Sequence, residues 1–278
     1  MSTGSAPPFP WPEERVAHYT AYRVPEPLAI GGKLDDASWR LAPRSPRFVD
    51  LITGKPTVHD TRAAVLWDDS YLYAGFWVEE PFVEAKLTER DSLIWSENDI
   101  EVFVAGADAY YELEINALGT IYEAFFLWED AYERAGFSKA PEFSRTAPGA
   151  KPWNGVGFDK HPRGPRLGFF NWDLPGLRSG VAVDGTINDN RDRDRGWTAE
   201  IAIPWSGMQQ LATDGRTLPP RDGDTWRMDF SRFNTYRAAA PAEDSGGWAW
   251  SAHGVWDSHV PELFPYIHFS TKLVGSEG

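Results

Sequence analysis

Short runs of β-branched and aromatic residues recur along the whole chain, and turn-forming residues separate them. Such runs predict strands, and two of the connections, WDDSY and NALGT, are short enough for hairpins. The chain has 22 prolines and 25 glycines in 278 residues, which disfavours long helices, and no helical pattern alternates with the strands. The sequence therefore predicts an all-β fold, an antiparallel β-sandwich of jelly-roll type with a long insertion. The predicted strands are Arg62–Trp67, Tyr71–Val78, Asp99–Val104, Tyr110–Asn116, Thr120–Trp128, Gly180–Ile187, Trp197–Ile203, Trp226–Phe233 and Tyr266–Ser270.

One large domain is expected, because the chain is only slightly longer than the β-sandwiches that form single domains. Residues 1–27 are proline-rich and aperiodic, so we predict an extended N-terminal arm, followed by the sandwich of residues 28–278. Residues 129–179 are rich in proline, glycine and aromatic residues and are too long for an ordinary loop. We predict that this segment is an insertion that lies over one sheet.

Charge and cysteine content exclude several classes of function. The formal net charge is -14, and no lysine or arginine cluster is long enough to follow a phosphate backbone, so neither nucleic acid nor an anionic membrane is expected as a partner. There is no cysteine, which excludes disulfides, thiolate catalysis and cysteine-ligated zinc. The first thirty residues contain no signal-peptide pattern. A removed signal would leave the same sequence, so cytoplasmic and secreted locations both stay open.

Two neighbouring predicted strands, DIEVFV and YYELEIN, carry carboxylates on one face. Side chains alternate across a strand, so the apolar residues of these two segments predict a core-facing side. A solvated outer face would give the same alternation. It would not explain Trp95 immediately before the first strand, because an exposed indole there has no packing role. The side opposite the apolar rows carries Asp99, Glu101, Glu112, Glu114 and Asn116.

Aromatic rings beside carboxylates and amides suit a sugar. The apolar C–H face of a pyranose lies against an indole, while its hydroxyl groups donate to carboxylates and accept from amides. The chain contains 14 tryptophans, 10 tyrosines and 16 phenylalanines, more than a core of this size needs. This face therefore predicts a carbohydrate site.

Seven segments, in order, resemble the family 9 carbohydrate-binding modules, and together they span roughly residues 28 to 271. The resemblance implies a β-sandwich that binds glucans, xylans or small sugars, with calcium ions as structural ligands. In the characterised modules the sugar is bound at a reducing end. The resembling segments are Ile30–Trp39, Val65–Val78, Ile94–Val104, Tyr110–Thr120, Asp184–Trp205, Gly223–Phe233 and Trp248–Ser270.

The resemblance also implies which residues hold the sugar. In family 9 modules two tryptophans enclose the sugar ring, and these correspond here to Trp95 and Trp250. Trp248 and Trp256 lie close enough in sequence to Trp250 to remain alternatives. The polar groups of the family site correspond to Glu101 and Asn116. Glu114 stands where the characterised modules have an arginine, so their sugar preference and reducing-end selectivity are not carried over to this chain.

The segment DGTINDNRDRDRGW gathers the hard oxygen donors that calcium prefers. It is not an EF-hand, because Arg193 takes the position of the glycine and Ala199 that of the glutamate. Interleaved arginines offer the alternative of a salt-bridged turn without metal, which the sequence favours slightly. The predicted donors of a structural calcium ion are Asp184, Asn188, Asp189, Asp192 and Asp194.

Three functions are compatible with this sequence. The first is non-catalytic binding of an oligo- or polysaccharide through Trp95, Glu101, Glu114, Asn116 and Trp250. The second is a glycosidase or lyase that uses Glu101 and Glu114, which adjacent strands could bring within the separation of about 5 to 9 Å needed for glycoside hydrolysis. Nothing in the sequence provides a reason for one carboxyl to stay protonated, so binding is favoured. The third is a structural domain whose site has decayed.

Overall fold

The computed structural model describes residues 9–235 and 246–276, and these residues form mainly strands. All nine predicted strands are present, with ends that differ by at most three residues. The strands are β1 (His18–Arg23), β2 (Val49–Asp50), β3 (Thr61–Trp67), β4 (Tyr71–Glu79), β5 (Asp99–Ala105), β6 (Ala109–Asn116), β7 (Ile121–Trp128), β8 (Ala150–Trp153), β9 (Arg166–Phe169), β10 (Arg178–Asp184), β11 (Gly196–Pro204), β12 (Thr225–Asn234), β13 (Gly246–Ala249) and β14 (Tyr266–Leu273).

Helical structure is short throughout the described residues. The helix α1 covers Ala37–Leu41, and Asp36 caps it by accepting a hydrogen bond of 2.7 Å from the backbone N–H of Ser38. In the part of the chain that the structure describes, no helix has the length and apolar character needed to span a bilayer. Single 3₁₀ turns occupy Glu13–Arg15, Ile94–Ser96, Glu129–Ala131, Phe137–Lys139, Pro141–Phe143, Trp205–Leu211 and Pro261–Leu263.

The strands follow one hydrogen-bonded path in the order β10-β11-β4-β3-β1-β14-β12-β5-β6-β7-β9-β8, with β13 and β2 attached beside β12. This path folds into two packed layers, and the rings of Phe76 on β4 and Phe230 on β12 meet across the interior at 5.9 Å. The fold is the predicted all-β sandwich. It is not purely antiparallel, because β1 pairs in parallel with both β3 and β14.

Strand β1 lies within the segment predicted as an extended arm. Its sequence HYTAYR alternates, with Tyr19 and Ala21 buried in the core. By pairing with one strand of each layer, β1 joins the two layers into a continuous sheet. The prediction missed it because a six-residue alternation next to a proline-rich segment is a weak local signal. Residues 1–8 of the predicted arm lie outside the described residues.

Segment 129–179 widens the sheet rather than only covering it. Strand β9 pairs with β7, and β8 pairs with β9, so both extend the layer that contains β5 and β6. Aromatic residues of the same segment, including Phe143 and Trp172, pack against the main core. The segment therefore forms one side of the sandwich near the predicted sugar-binding face.

The segment Ile30–Trp39, with the sequence IGGKLDDASW, is held by a buried carboxylate of β11. Glu200 accepts hydrogen bonds from the backbone N–H groups of Gly31 and Gly32, at 2.7 and 2.6 Å, and from Trp39 Nε1 at 2.7 Å. Gly32 has φ of +84°, and a Cβ there would lie 2.5 Å from the backbone of Val181. This close approach requires glycine at position 32.

Candidate functional site

The pairing of β5 with β6 assembles the acidic face, which is the predicted polar side of these two strands and carries Asp99, Glu101, Glu112, Glu114 and Asn116. Glu101 lies opposite Glu114, Phe103 opposite Glu112, and Asp99 opposite Asn116. Their strand neighbours on the other face belong to the main core, as the alternation predicts. The polar residues are nevertheless buried, and Glu101 is only 4% exposed. The alternative of a solvated outer face is therefore wrong.

Two distant parts of the chain cover this face and leave a cavity of about 620 Å3. Trp153 and Phe170, from segment 129–179, form one wall, and the loop between β13 and β14 forms another. The volume is typical of small-molecule sites. The side chains that line it include Trp95, Glu101, Glu112, Glu114, Trp256 and His259.

Trp95 lines the cavity, and about half of its surface is exposed to solvent. The 3₁₀ turn Ile94–Ser96 precedes β5, and Ile94 is fully buried, which fixes the turn. The backbone N–H of Trp95 donates a hydrogen bond of 2.8 Å to Glu114 Oε2. The Trp95 side chain is 54% exposed. The turn thus presents the indole to the cavity instead of to the core.

A second indole at the cavity belongs to Trp256. Trp256 is 44% exposed and packs edge to face against Phe233, with ring centroids 5.3 Å apart. It lies in the loop between β13 and β14, and a Cβ on Gly157 would lie 2.4 Å from the Trp256 carbonyl oxygen. Segment 129–179 therefore approaches this loop closely, and a glycine at position 157 permits the approach.

The assignment of Trp250 as the second sugar-binding ring is corrected. Trp250 is buried in the main core, where its ring meets Tyr19 at 5.0 Å and Phe230 at 5.1 Å. Trp248 is also buried, beneath the guanidinium group of Arg232. Neither indole lines the cavity, so neither can stack on a ligand there. Of the three tryptophans that the sequence leaves open, Trp256 alone lines it.

Asn116 does not line the cavity either, which corrects its assignment as a sugar-binding residue. Its Nδ2 donates to the Leu87 carbonyl oxygen at 2.8 Å and to Glu97 Oε1 at 2.7 Å. Its Oδ1 accepts from the backbone N–H groups of Leu118 and Thr120 at 3.0 Å each. The amide is fully used in holding the turn after β6, so it has nothing to offer a ligand.

Burial shifts the protonation of the acidic face. Burial raises the pKa of Glu101 to about 8, against a hydrogen bond of 2.8 Å from Ser231 Oγ that favours the ionised form. Burial together with the neighbouring carboxylates also raises the pKa of Asp99, Glu112 and Glu114 well above the ordinary range. The acidic face therefore binds protons more tightly than exposed carboxylates do.

The opposite shift occurs at His259, next to this face. Burial lowers the pKa of His259 to about 3, so the ring is neutral near neutral pH. Its Nε2 lies 3.5 Å from Glu112 Oε1, and its Nδ1 lies 3.2 Å from the Tyr110 hydroxyl. Sequence alone did not identify this histidine as part of the site, because only the tertiary structure brings its loop onto the face.

Asp257 clamps segment 129–179 to the loop between β13 and β14. Its Oδ2 accepts backbone N–H groups of Val156, Gly157 and Phe158 at 2.9 to 3.0 Å, and its Oδ1 accepts that of His259 at 2.8 Å. Burial alone would raise the pKa of Asp257, but His259 and these donors hold it below its ordinary value. Asp257 thus joins the two walls of the cavity, together with Arg166, which donates to the His259 carbonyl oxygen at 2.8 Å, and His161, whose Nε2 lies 2.8 Å from Glu262 Oε2.

Three carboxylates of the acidic face could together accept a cation. One oxygen from each of Asp99, Glu101 and Glu114 lies within 4.8 Å of an oxygen of the others. Across residues 9–235 and 246–276, no other three acidic or histidine side chains meet in this way. The sequence predicted these residues as one face, but not the convergence of their oxygens.

The turn predicted to bind calcium contains ion pairs. Asp184 pairs with Arg195 at 2.9 Å, and Asp189 pairs with Arg191 at 2.5 Å. These are the salt bridges that the interleaved arginines predicted as the alternative to a metal site. Asp192, another predicted donor, is exposed at the surface of the same turn.

The remaining predicted calcium donors bond to the backbone. Asn188 Oδ1 accepts from the N–H of Ala85 at 3.0 Å. Both oxygens of Asp194 are used, by the N–H groups of Val83 at 2.8 Å and Thr186 at 2.7 Å. With its carboxylates engaged separately, the turn does not fit a calcium ion, which needs several oxygens around one point. Calcium in this turn stays a prediction that the arrangement does not support.

A second hollow, of about 540 Å3, lies on the other layer beside β4 and β11. Trp77 and Asp184 line it, but none of the predicted sugar-binding residues does. Its charged groups largely satisfy one another, as in the pair of Arg62 with Asp60 at 3.1 Å. Arg44 covers the indole of Trp77, with its guanidinium carbon 3.9 Å from the ring centroid. The Trp95 cavity is therefore the better candidate for a sugar site.

Comparison with known proteins finds similarity only at the level of structure. No protein-family profile and no curated protein sequence matches the chain. A candidate carbohydrate-binding protein from Bacteroides uniformis is similar over 92% of this chain and 100% of its own, with 15% identity and a TM-score of 0.59. A family 9 carbohydrate-binding module from Caldicellulosiruptor kristjanssonii, solved with cellotriose and with glucose, is similar over 94% of this chain and 98% of its own. Its identity is 12%, and the TM-scores are 0.50 and 0.51. The predicted resemblance to family 9 modules is thus confirmed for the fold.

Proposed function

We propose that this protein binds carbohydrate in the cavity lined by Trp95 and Trp256. The observation that carries the proposal is the pairing of two half-exposed indoles with buried carboxylates around one hollow of about 620 Å3. When an exposed indole covers the C–H face of a pyranose, apolar surface of both groups is removed from water, which favours binding. The similar family 9 module was solved with glucose and with cellotriose, which supports a sugar as the ligand class.

The carboxylates supply the polar half of the site. Glu101, Glu112 and Glu114 line the cavity, and they can accept hydrogen bonds from sugar hydroxyl groups. The side chains of Glu101 and Glu114 are oriented before a ligand arrives, by Ser231 Oγ and by the Trp95 backbone N–H. Preorganised acceptors of this kind reduce the entropy cost of binding. The cavity volume favours a monosaccharide or the end of an oligosaccharide over a long internal stretch of polymer.

Replacing Trp95 with alanine is expected to weaken sugar binding by about 1.5 to 3 kcal/mol, roughly 10- to 150-fold, because one stacking surface is removed. Isothermal titration calorimetry with glucose, cello-oligosaccharides and xylo-oligosaccharides measures this. Trp77→Ala is the matched control, because Trp77 lines the separate hollow on the other layer. An unchanged affinity in Trp95→Ala would refute the role of this indole. If the wild-type protein binds none of these sugars, the third function, a structural domain whose binding site has decayed, is the better description of the protein.

Hydrolysis or elimination at the same site is a second candidate, supported by the acidic pair. Glu101 and Glu114 lie directly opposite each other on β5 and β6, and burial raises the pKa of Glu101 to about 8. A carboxyl that stays protonated at neutral pH is the general acid that the sequence could not supply. This candidate predicts that wild-type protein releases products from glycosides, whereas Glu101→Gln does not. Chromatography of the reaction products decides between the two functions, and a lack of turnover leaves binding as the function.

A further inference from the structure

We propose that the bound sugar carries a protonated amino group, which Asp99, Glu101 and Glu114 hold together. This inference rests on the proposed function and narrows its ligand to an amino sugar. It combines two features of the cavity. The indoles of Trp95 and Trp256 suit a pyranose ring. Glu101 and Glu114 line the same cavity, and Asp99, which is buried and does not line it, brings a third carboxylate oxygen close to theirs, so that the three together suit a compact cation attached to that ring.

The spacing of the three carboxylates is compatible with the geometry of an ammonium group. One oxygen of each of Asp99, Glu101 and Glu114 lies within 4.8 Å of the others. Hydrogen bonds from an ammonium nitrogen to carboxylate oxygens are about 2.7 to 2.9 Å long, so three acceptors around one nitrogen stand about 4.5 to 5 Å apart. An ammonium group has three donors and no acceptor. It can therefore donate one hydrogen bond to each carboxylate.

Each carboxylate already has one oxygen fixed by a protein donor. The Phe233 N–H donates to Asp99 Oδ1 at 3.1 Å, Ser231 Oγ donates to Glu101 Oε2 at 2.8 Å, and the Trp95 N–H donates to Glu114 Oε2 at 2.8 Å.

The second oxygen of Asp99 points to a missing donor. Asp99 is fully buried, and its Oδ2 makes no hydrogen bond with any residue that the structure describes. A buried carboxylate oxygen without a partner is costly, and native proteins seldom leave one unmatched. A donor from the ligand would satisfy it.

A divalent metal fits this arrangement less well. Calcium takes six to eight oxygen ligands and often binds carboxylates through both oxygens. Here one oxygen of each carboxylate already accepts a hydrogen bond from the protein, so only three of the six oxygens lack a protein donor, fewer than calcium prefers. The aromatic lining from Trp95 and Trp256 would also have no role in holding a bare ion. An organic ammonium uses both the rings and the carboxylates.

The remaining charges of the cavity favour a cation over an anion. Asp91, Glu112 and Asp257 also line it. Lys151 is a basic residue at the same cavity, and its Nζ lies 4.0 Å from the centroid of the Phe170 ring. Because opposite charges stabilise the ionised form of a carboxyl group, an ammonium ligand would also displace protons from the acidic face. Proton release on binding is thus a readout that a neutral sugar does not produce.

The test compares three ligands that share the glucopyranose ring. Glucose has a hydroxyl group at carbon 2, glucosamine has an amine there, and N-acetylglucosamine has a neutral amide. Titration calorimetry of the wild-type protein near neutral pH is expected to show glucosamine binding about 10-fold or more tightly than the other two, because hydrogen bonds between charged groups are the stronger ones. The measured enthalpy should depend on the ionisation enthalpy of the buffer for glucosamine, and its affinity should fall as salt is added.

Glu114→Gln tests the carboxylate itself. Glutamine keeps an acceptor for the Trp95 N–H and for a sugar hydroxyl group but removes the charge, so the affinity for glucosamine should fall about 10-fold more than the affinity for glucose. Retained glucose binding shows that the variant is folded. Glu142→Gln removes the same charge from an exposed position that does not line the cavity, and it should leave both affinities unchanged.

The outcomes separate this inference from the proposed function. If glucose binds and glucosamine binds no more tightly, the amine inference is wrong and carbohydrate binding stands. If none of the three sugars binds, the proposed function fails as well. If sugar binding requires added calcium and is abolished by a chelator, the three carboxylates hold a metal, and the amine inference is overturned.

Discussion

Replacing Asp257 with alanine is expected to abolish measurable sugar binding and to lower the free energy of unfolding by about 3 to 4 kcal/mol. The carboxylate accepts four backbone N–H groups, three from segment 129–179 and one from His259. Each donor left without a partner costs about 1 kcal/mol when it is partly re-solvated, and more when it stays buried. Urea denaturation measures the stability, and titration calorimetry measures the affinity.

The loss of binding follows from the position of the clamp. Trp153, Val156 and Phe170 line the cavity from segment 129–179, while Trp256 lines it from the loop that carries Asp257. Without the carboxylate these two walls lose the three hydrogen bonds that hold Val156, Gly157 and Phe158 against the loop. Asp257→Asn is the matched control, because it keeps one acceptor oxygen in nearly the same shape and should lose roughly half as much stability. Full sugar affinity in the Asp257→Ala variant would show that the clamp does not position the site.

Raising the pH from 6.5 to 8 is expected to destabilise the protein by about 2 kcal/mol or more. The pKa of Glu101 in the folded protein is raised to about 8 by burial, whereas the same group in the unfolded chain ionises near pH 4.5. Between these values the folded state holds a proton that the unfolded state has lost. Stability therefore falls by about 1.4 kcal/mol per pH unit, or about 2 kcal/mol over this interval. The raised pKa values of Asp99, Glu112 and Glu114 act in the same direction.

The pKa values of buried histidines are the reason for starting the pH interval at 6.5. Burial lowers the pKa of His259 to about 3. Below pH 6.5 the unfolded chain therefore binds a proton at this ring, whereas the folded protein does not. This effect raises stability as the pH rises towards 6.5 and opposes the carboxyl groups there. Above 6.5 the ring is mainly neutral in both states, so this opposing effect is small in the chosen interval. Burial also lowers the pKa of His253, but Asp229, 3.6 Å away, more than offsets this, and the net upward shift makes His253 lose stabilisation as the pH rises.

Glu101→Gln is the control for the pH prediction. The amide cannot ionise, so the variant should show a shallower fall of stability with pH and should exceed the wild type in stability at pH 8. Urea denaturation at four pH values between 6.5 and 8 measures both slopes. A wild-type stability that stays constant or rises over this interval would mean that the acidic face is ionised in the free protein.

Part of the site could be predicted because alternation is a local property. In β5 the apolar residues Ile100, Val102 and Val104 identify the core side, so Glu101 and its neighbours must lie on the other side. The position of Trp95 beside this face follows from chain continuity alone. Glu112 lies on the same predicted face, but nothing in the sequence separated it from the other acids as a residue that lines the cavity.

The rest of the site could not be predicted because it depends on contacts between distant residues. Sequence proximity could not decide among Trp248, Trp250 and Trp256, since only burial distinguishes them. Asn116 has the right residue type on the right face, but a turn consumes its amide. Segment 129–179 was predicted to lie over one sheet, but nothing in the sequence indicated that Trp153 and Phe170 would line the cavity, because the segment lacks a periodic pattern.

The sequence by itself determined nine of the fourteen described strands, the two-layer β architecture and the face on which the carboxylates stand, because each follows from the identity of residues that are close along the chain. The tertiary structure alone decided that segment 129–179 and the loop between β13 and β14 cover this face, that Glu101 and Glu114 line one cavity, and that Trp256 lines it while Trp250 does not. Burial and convergence are set by segments that are about a hundred residues apart, such as those joined by Asp257 and Val156. The low-dielectric surroundings that result, and not the residue types, give these carboxyl groups their unusual affinity for protons.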